Sequence, residues 1–167
     1  MIDVFEMKGP LGELYDQCSG ENGRARFEEF KLWLKKVATG SFKRDMRKEG
    51  WTLLENAPRR LSSAINEVSF LKNGESSISG EEMVRRARVE LNANYGQEDA
   101  EWLLKHQDKI PAELRKLYLV FPATVWQDRY DDRYVPYLSW YDDRSILDFR
   151  WLDGGFYSND RLVRPRR

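Results

Sequence analysis

Six aspartates in the C-terminal third have types and spacings that could do chemistry: Asp128, Asp131 and Asp132 in one turn, Asp142 and Asp143 in a second, Asp153 in a third. Clustered carboxylates hold Mg2+ or Ca2+ through oxygen ligands, or work as an acid–base pair. Strand geometry decides which of them can meet. Residues 134–141 separate the first two turns by about 26 Å at ~3.3 Å per residue. The next turn brings Asp153 back to the end that holds Asp128, Asp131 and Asp132. These four are the candidate ligands of a divalent-metal-dependent enzyme. The EF-hand spacing is absent and arginines alternate with the aspartates. The competing reading is therefore a set of turn residues that pair locally.

The second constellation is basic: Lys35, Lys36, Lys43, Arg44, Arg47 and Lys48, with Trp33, Phe42 and Trp51 interleaved. On a helix Lys43 and Arg47 share a face at i,i+4, as do Arg44 and Lys48. Such cations suit phosphates and such aromatics suit base stacking, so RNA or DNA binding is the alternative function. The competing reading is a solvated helix face with its aromatics in the core. The chain carries 28 Lys and Arg against 28 Asp and Glu, and a net charge of zero weighs against backbone-driven nucleic-acid binding.

The third constellation is Tyr137 and Tyr141 with Arg144 and Arg150 near them on a neighbouring strand. Tyr, Trp and Arg dominate interface hot spots. These four are the candidate protein-interaction residues, and a non-catalytic module acting through protein–protein contact is the lead reading. The competing reading is cross-strand pairing that only stabilises the sheet. Cys18 and His106 are the single cysteine and histidine, which excludes an internal disulfide and sites needing several such ligands. No nucleophile-elbow, P-loop or dinucleotide-binding pattern is present. No catalytic residue and no cofactor is expected.

The elements that must position these residues change in kind near residue 117. Beyond it every base is Arg, every acid is Asp, and 12 of the chain's 22 aromatics occur. Lys and Glu favour helices, Asp favours turns and aromatics favour strands. The spacing predicts helices over 26–37, 42–48 (capped by Ser41), 58–72 (opened by Pro58), 80–91 (a capping box at Ser79 and Glu82) and 97–107, then a helical turn after Pro111. Strands are expected over 117–121, 124–127, 134–141 and 145–151, with a last edge strand over 161–164. A two-residue turn at Asp142-Asp143 sets the hairpin register: Tyr141 opposite Arg144, Leu138 opposite Leu147, Tyr134 opposite Trp151. Pro136 requires either a bulge or an edge strand there.

The segments LVFPATVW, VPYLSWYDD, LDFRWLDGG and RLVRPRR, with the preceding EDAEWLLKHQDKIPAELRKLY, resemble a C-terminal segment shared by small uncharacterised bacterial proteins. The likeness covers roughly the last 70 residues. It implies a bacterial, cytoplasmic setting and no mechanism. The N-terminus lacks the charge and apolar run of a signal peptide, and no stretch is apolar for ~20 residues, so no membrane partner is expected. The expected fold is α+β in one compact unit, residues 1–167. Four to five helices over 1–116 pack on a C-terminal antiparallel meander of four to five strands over 117–167.

Overall fold

The computed structural model describes Gly23 and residues 41–166. The chain divides into two compact units, Met1–Thr39 and Gly40–Arg167, and residues 41–166 belong to the second. The helix expected over 26–37, with Trp33, Lys35 and Lys36, and Cys18 lie outside the described residues.

The described residues hold two α-helices and nine strands, so the expectation of four to five helices on a four- to five-strand meander is corrected to a mostly β architecture. In chain order these are β1 (Thr52–Glu55), β2 (Ile65–Val68), β3 (Ser77–Ser79), α1 (Gly80–Val89), α2 (Gln97–Lys105), β4 (Tyr118–Val120), β5 (Val125–Gln127), β6 (Arg133–Tyr141), β7 (Arg144–Trp151), β8 (Gly155–Tyr157) and β9 (Asp160–Pro165). Seven strands form one curled, half-barrel sheet in the order β1-β5-β6-β4-β9-β2, with β7 on the free edge of β6; β3 and β8 form a second, two-stranded sheet.

The missing helices have a common cause: distant side chains take the backbone amides that would start them. The N–H groups of Arg60 and Leu61 donate to Asp99 Oδ1 at 2.6 and 2.7 Å, which holds this stretch in register with the start of α2. Beyond it Ile65 and Val68 are β-branched and pair with Pro165 and Leu162. The residues expected to line one helix stripe therefore divide between the two faces of a strand. Likewise Lys43 and Arg44 donate their amides to the Glu101 carboxylate at 2.9 and 3.1 Å. The only helical turn there is a 3-10 turn, Met46–Glu49, capped by Asp45 rather than Ser41. The helices expected at 80–91 and 97–107 form as α1 and α2. Ser79 caps α1 by accepting from the Glu82 amide at 3.3 Å.

The hairpin register is as counted from the sequence, from Tyr141 opposite Arg144 to Tyr134 opposite Trp151. Pro136 is accommodated by neither a bulge in β6 nor an edge position. β4 and β5 lie end to end along one side of β6, and Pro136 falls at the break between them. The proline nitrogen, which has no hydrogen to donate, faces that break, while its carbonyl accepts from the Phe121 amide at 2.9 Å. The 161–164 strand is also corrected: β9 is interior, parallel to β4 on one side and antiparallel to β2 on the other.

Alternation along the strands builds two cores on opposite faces of the large sheet. Leu119, Leu138, Leu147 and Val163 face one way and pack with Leu61, Ile65 and the α2 residues Ala100 and Leu103. Val120, Val135 and Leu162 face the other way and pack with Phe70, Phe156 and the α1 residues Met83 and Ala87. Gly80 permits the closest approach: a Cβ there would lie 2.0 Å from the Leu152 carbonyl oxygen.

Candidate binding surfaces

On the α1 side of the sheet the core does not reach the hairpin turn. Tyr137 and Tyr141 point to this side, as do Ile146 and Asp148 on β7. Tyr118 joins them from β4, where it pairs with Asp160 on one side and follows the register Leu119–Leu138 on the other. The ring of Tyr118 meets that of Tyr137 edge-on at 5.7 Å. Tyr141 is 64% exposed, and Tyr118 and Ile146 are each 37% exposed. Arg144 and Asp148 are exposed beside them. Tyr137 is half-buried, and burial, with Asp148 next in weight, pushes its phenol above the ordinary value.

Arg150, expected on the same surface, is turned inward. Its Nη2 donates to the Gly155 carbonyl at 3.0 Å and lies 3.2 Å from Asp160 Oδ2, and its guanidinium sits 5.0 Å over the Phe156 ring. Asp160 is fully buried, and burial pushes its carboxyl above the usual range. Arg150 thus neutralises a buried carboxylate and fastens β8. Of the four interaction residues expected from the sequence, Tyr141 and Arg144 are exposed on this face and Tyr137 is half-buried there, and the structure places Tyr118 and Ile146 beside them. Tyr118 was reachable only through the β4–β6 pairing, which no local signal announces.

The described part of the basic segment is not one open patch. Phe42 is buried against Trp126, with ring centroids 5.3 Å apart, and Trp51 packs on Tyr134 and Phe149. Arg44 donates to the Leu147 carbonyl at 2.6 Å and lies 5.0 Å over the Phe149 ring. Arg47 pairs with Asp45 at 2.7 Å. Lys43 and Lys48 are exposed.

The aspartates are engaged as turn residues and ion-pair partners. Asp128 Oδ1 accepts from the Tyr130 and Asp132 amides at 2.8 and 3.1 Å. Asp131 takes a positive φ of 68° in that turn. Asp153 pairs with Arg133 at 2.6 Å, and Arg133 also reaches Glu81 at 2.5 Å. Among the described residues no group of three or more His, Cys, Asp and Glu is placed to hold a metal ion. His106 stacks on Trp102 at 4.3 Å, with Nδ1 2.8 Å from the Trp102 carbonyl oxygen.

Comparison of the chain with family models, curated proteins and solved structures finds no match. Among the described residues no helix is long and apolar enough to cross a membrane.

Proposed function

We propose that the protein is a non-catalytic binding module that docks a folded protein partner on the open half of its sheet. The observation that carries this reading is the row of Tyr118, Tyr137, Tyr141 and Ile146 on one face, rimmed by Arg144 and Asp148. An aromatic centre with a charged rim is the composition of an interface hot spot. Nucleic-acid binding through the 35–60 segment has weaker support, because Phe42 and Trp51 are packed on neighbouring rings and Arg44 and Arg47 have partners. A metal-dependent activity at Asp128, Asp131, Asp132 and Asp153 has the least support, since Arg133 already balances Asp153. The proposal places the module in the cytoplasm of a bacterium, on the likeness of its last 70 or so residues to bacterial proteins.

The test is affinity capture with wild-type protein, followed by reconstitution with the purified partner. A protein recovered in stoichiometric amount, whose Kd rises at least about tenfold in Tyr141→Ala, supports the reading; tenfold is ~1.4 kcal/mol, modest for an interface tyrosine. Leu54→Ala, an exposed apolar residue on β1, serves as the control. Recovery of no stoichiometric partner, or binding indifferent to Tyr118→Ala and Tyr141→Ala together, removes it.

A further inference from the structure

Two hollows open along β2 and the end of β9, about four residues along β9 from the Tyr118–Asp160 pair. They share Asn66 and Arg164. The larger, about 480 Å³, runs from these residues to the 3-10 turn Ala112–Lys116 and is edged by Lys116. The smaller, about 330 Å³, is walled by Leu91, Tyr95 and Pro165. Each lies within the ~300–1,000 Å³ typical of small-molecule sites.

The charges in the larger hollow are unevenly matched. Arg161, Arg164 and Lys116 face Glu67 and Glu113. Arg161 Nε lies 3.1 Å from Glu67 Oε2, so these two offset each other. Arg164, Lys116 and Glu113 make no ion pair among the described residues, which leaves the hollow one positive charge in excess. A guanidinium offers a planar fork of donors that fits phosphate oxygens, and an ammonium adds a second, mobile positive charge. Two such cations outweigh the one free carboxylate, Glu113, and can both reach the oxygens of a single phosphate group. The second hollow, partly apolar and reached past Arg164, has room for the uncharged part of the same ligand.

We infer that the paired hollows between β2, β9 and the Ala112–Lys116 turn bind a phosphorylated small molecule of mononucleotide size, with Arg164 and Lys116 on the phosphate. The site shares no residue with the sheet face proposed for protein docking, so neither reading depends on the other. Calorimetric titration of the full chain with adenosine monophosphate, inorganic phosphate and adenosine tests it. Expected is saturable one-to-one binding of the monophosphate, weaker binding of phosphate and none of adenosine. Arg164→Ala, at an exposed position that should leave folding intact, is expected to weaken the monophosphate roughly tenfold or more. Lys116→Ala is expected to weaken it less, and Arg129→Ala in the exposed turn after β5 to leave it unchanged. Absence of saturable heat at millimolar monophosphate overturns the inference, as does equal affinity in Arg164→Ala or equal binding of adenosine.

Discussion

Arg86 is a buried charged side chain with a partner for each of its three guanidinium nitrogens. It is buried in α1, and Glu75 grips it with both oxygens, Oε2 to Nη1 at 2.5 Å and Oε1 to Nη2 at 2.8 Å. Glu82 Oε1 accepts from its Nε at 2.7 Å and the Phe70 carbonyl from Nη1 at 2.8 Å. A buried cation is tolerated only when so paired, and the geometry ties the loop before β3 to α1. The Arg86 guanidinium beside Glu75, and those of Arg85 and Arg86 beside Glu82, hold both carboxyls at about 2 against an ordinary 4.5. A depressed acid contributes stability that is full above its unfolded value and lost as pH falls through the folded one. The denaturant midpoint should therefore drop between pH 4.5 and 2. Asp160 acts with the opposite sign: its raised carboxyl favours the protonated fold, so its contribution worsens as pH rises above 3.8. Glu75→Gln is expected to lower stability at pH 7 and to flatten the acid limb of the profile. An unchanged acid limb in that variant would contradict the account.

At the scale of elements, β7 is an edge strand, and side chains cover three of its outward backbone groups. The two-residue turn makes Tyr141–Arg144 a hydrogen-bonded pair, so Ser145, Leu147 and Phe149 direct their amides and carbonyls away from β6. The Ser145 amide donates to Gln107 Oε1 at 2.9 Å, the Leu147 carbonyl accepts from Arg44 at 2.6 Å, and the Phe149 amide donates to the Asp148 carboxylate at 2.9 Å. Covered edges resist pairing with another chain. The double variant Arg44→Ala, Gln107→Ala is expected to self-associate with rising concentration in sedimentation velocity while its circular dichroism stays that of the wild type. A concentration-independent mass equal to wild type would refute this role. Counting from Asp142-Asp143 makes this hairpin legible in the sequence, because a short turn transmits register with no outside help. The 58–72 stretch reads as a helix for the converse reason: its apolar spacing is real, but Asp99, 38 residues from Leu61, takes the amide there. The candidate site divides the same way. Tyr137 and Tyr141 follow from alternation within one strand, whereas adding Tyr118 and removing Arg150 depend on strands paired across the fold.

For the described unit as a whole, the two cores are joined through α2. Its first turns are polar yet buried, which a sequence reader takes for an exposed face. The Gln97 amide donates to Thr124 Oγ1 at 2.8 Å, its side-chain Oε1 accepts from Trp126 Nε1 at 2.7 Å, and its Nε2 donates to the Arg44 carbonyl at 2.7 Å. Glu101 anchors residues 43 and 44; Asp99 anchors residues 60 and 61 and accepts from the Gly96 amide at 2.9 Å. One helix therefore fixes the entry to β2, the turn before β5 and the stretch before β1; β2 carries Ile65 of one core and Val68 beside the other, and β5 carries Val125 of the second. Losing a single anchor should then weaken the unit as a whole. Asp99→Ala strips three backbone amides of their acceptor in a buried setting, at roughly 1–3 kcal/mol for each group left unpaired. A loss of about 3 kcal/mol or more is expected, set against a typical domain stability of ~5–15 kcal/mol. Asp128→Ala removes the acceptor of two amides in an exposed turn, where water replaces it, and is expected to cost about 1 kcal/mol or less. Urea unfolding followed at the buried Trp126 and by circular dichroism measures both. Equal costs for the two variants, or an Asp99→Ala transition in which the two signals separate, would show that α2 does not couple the cores.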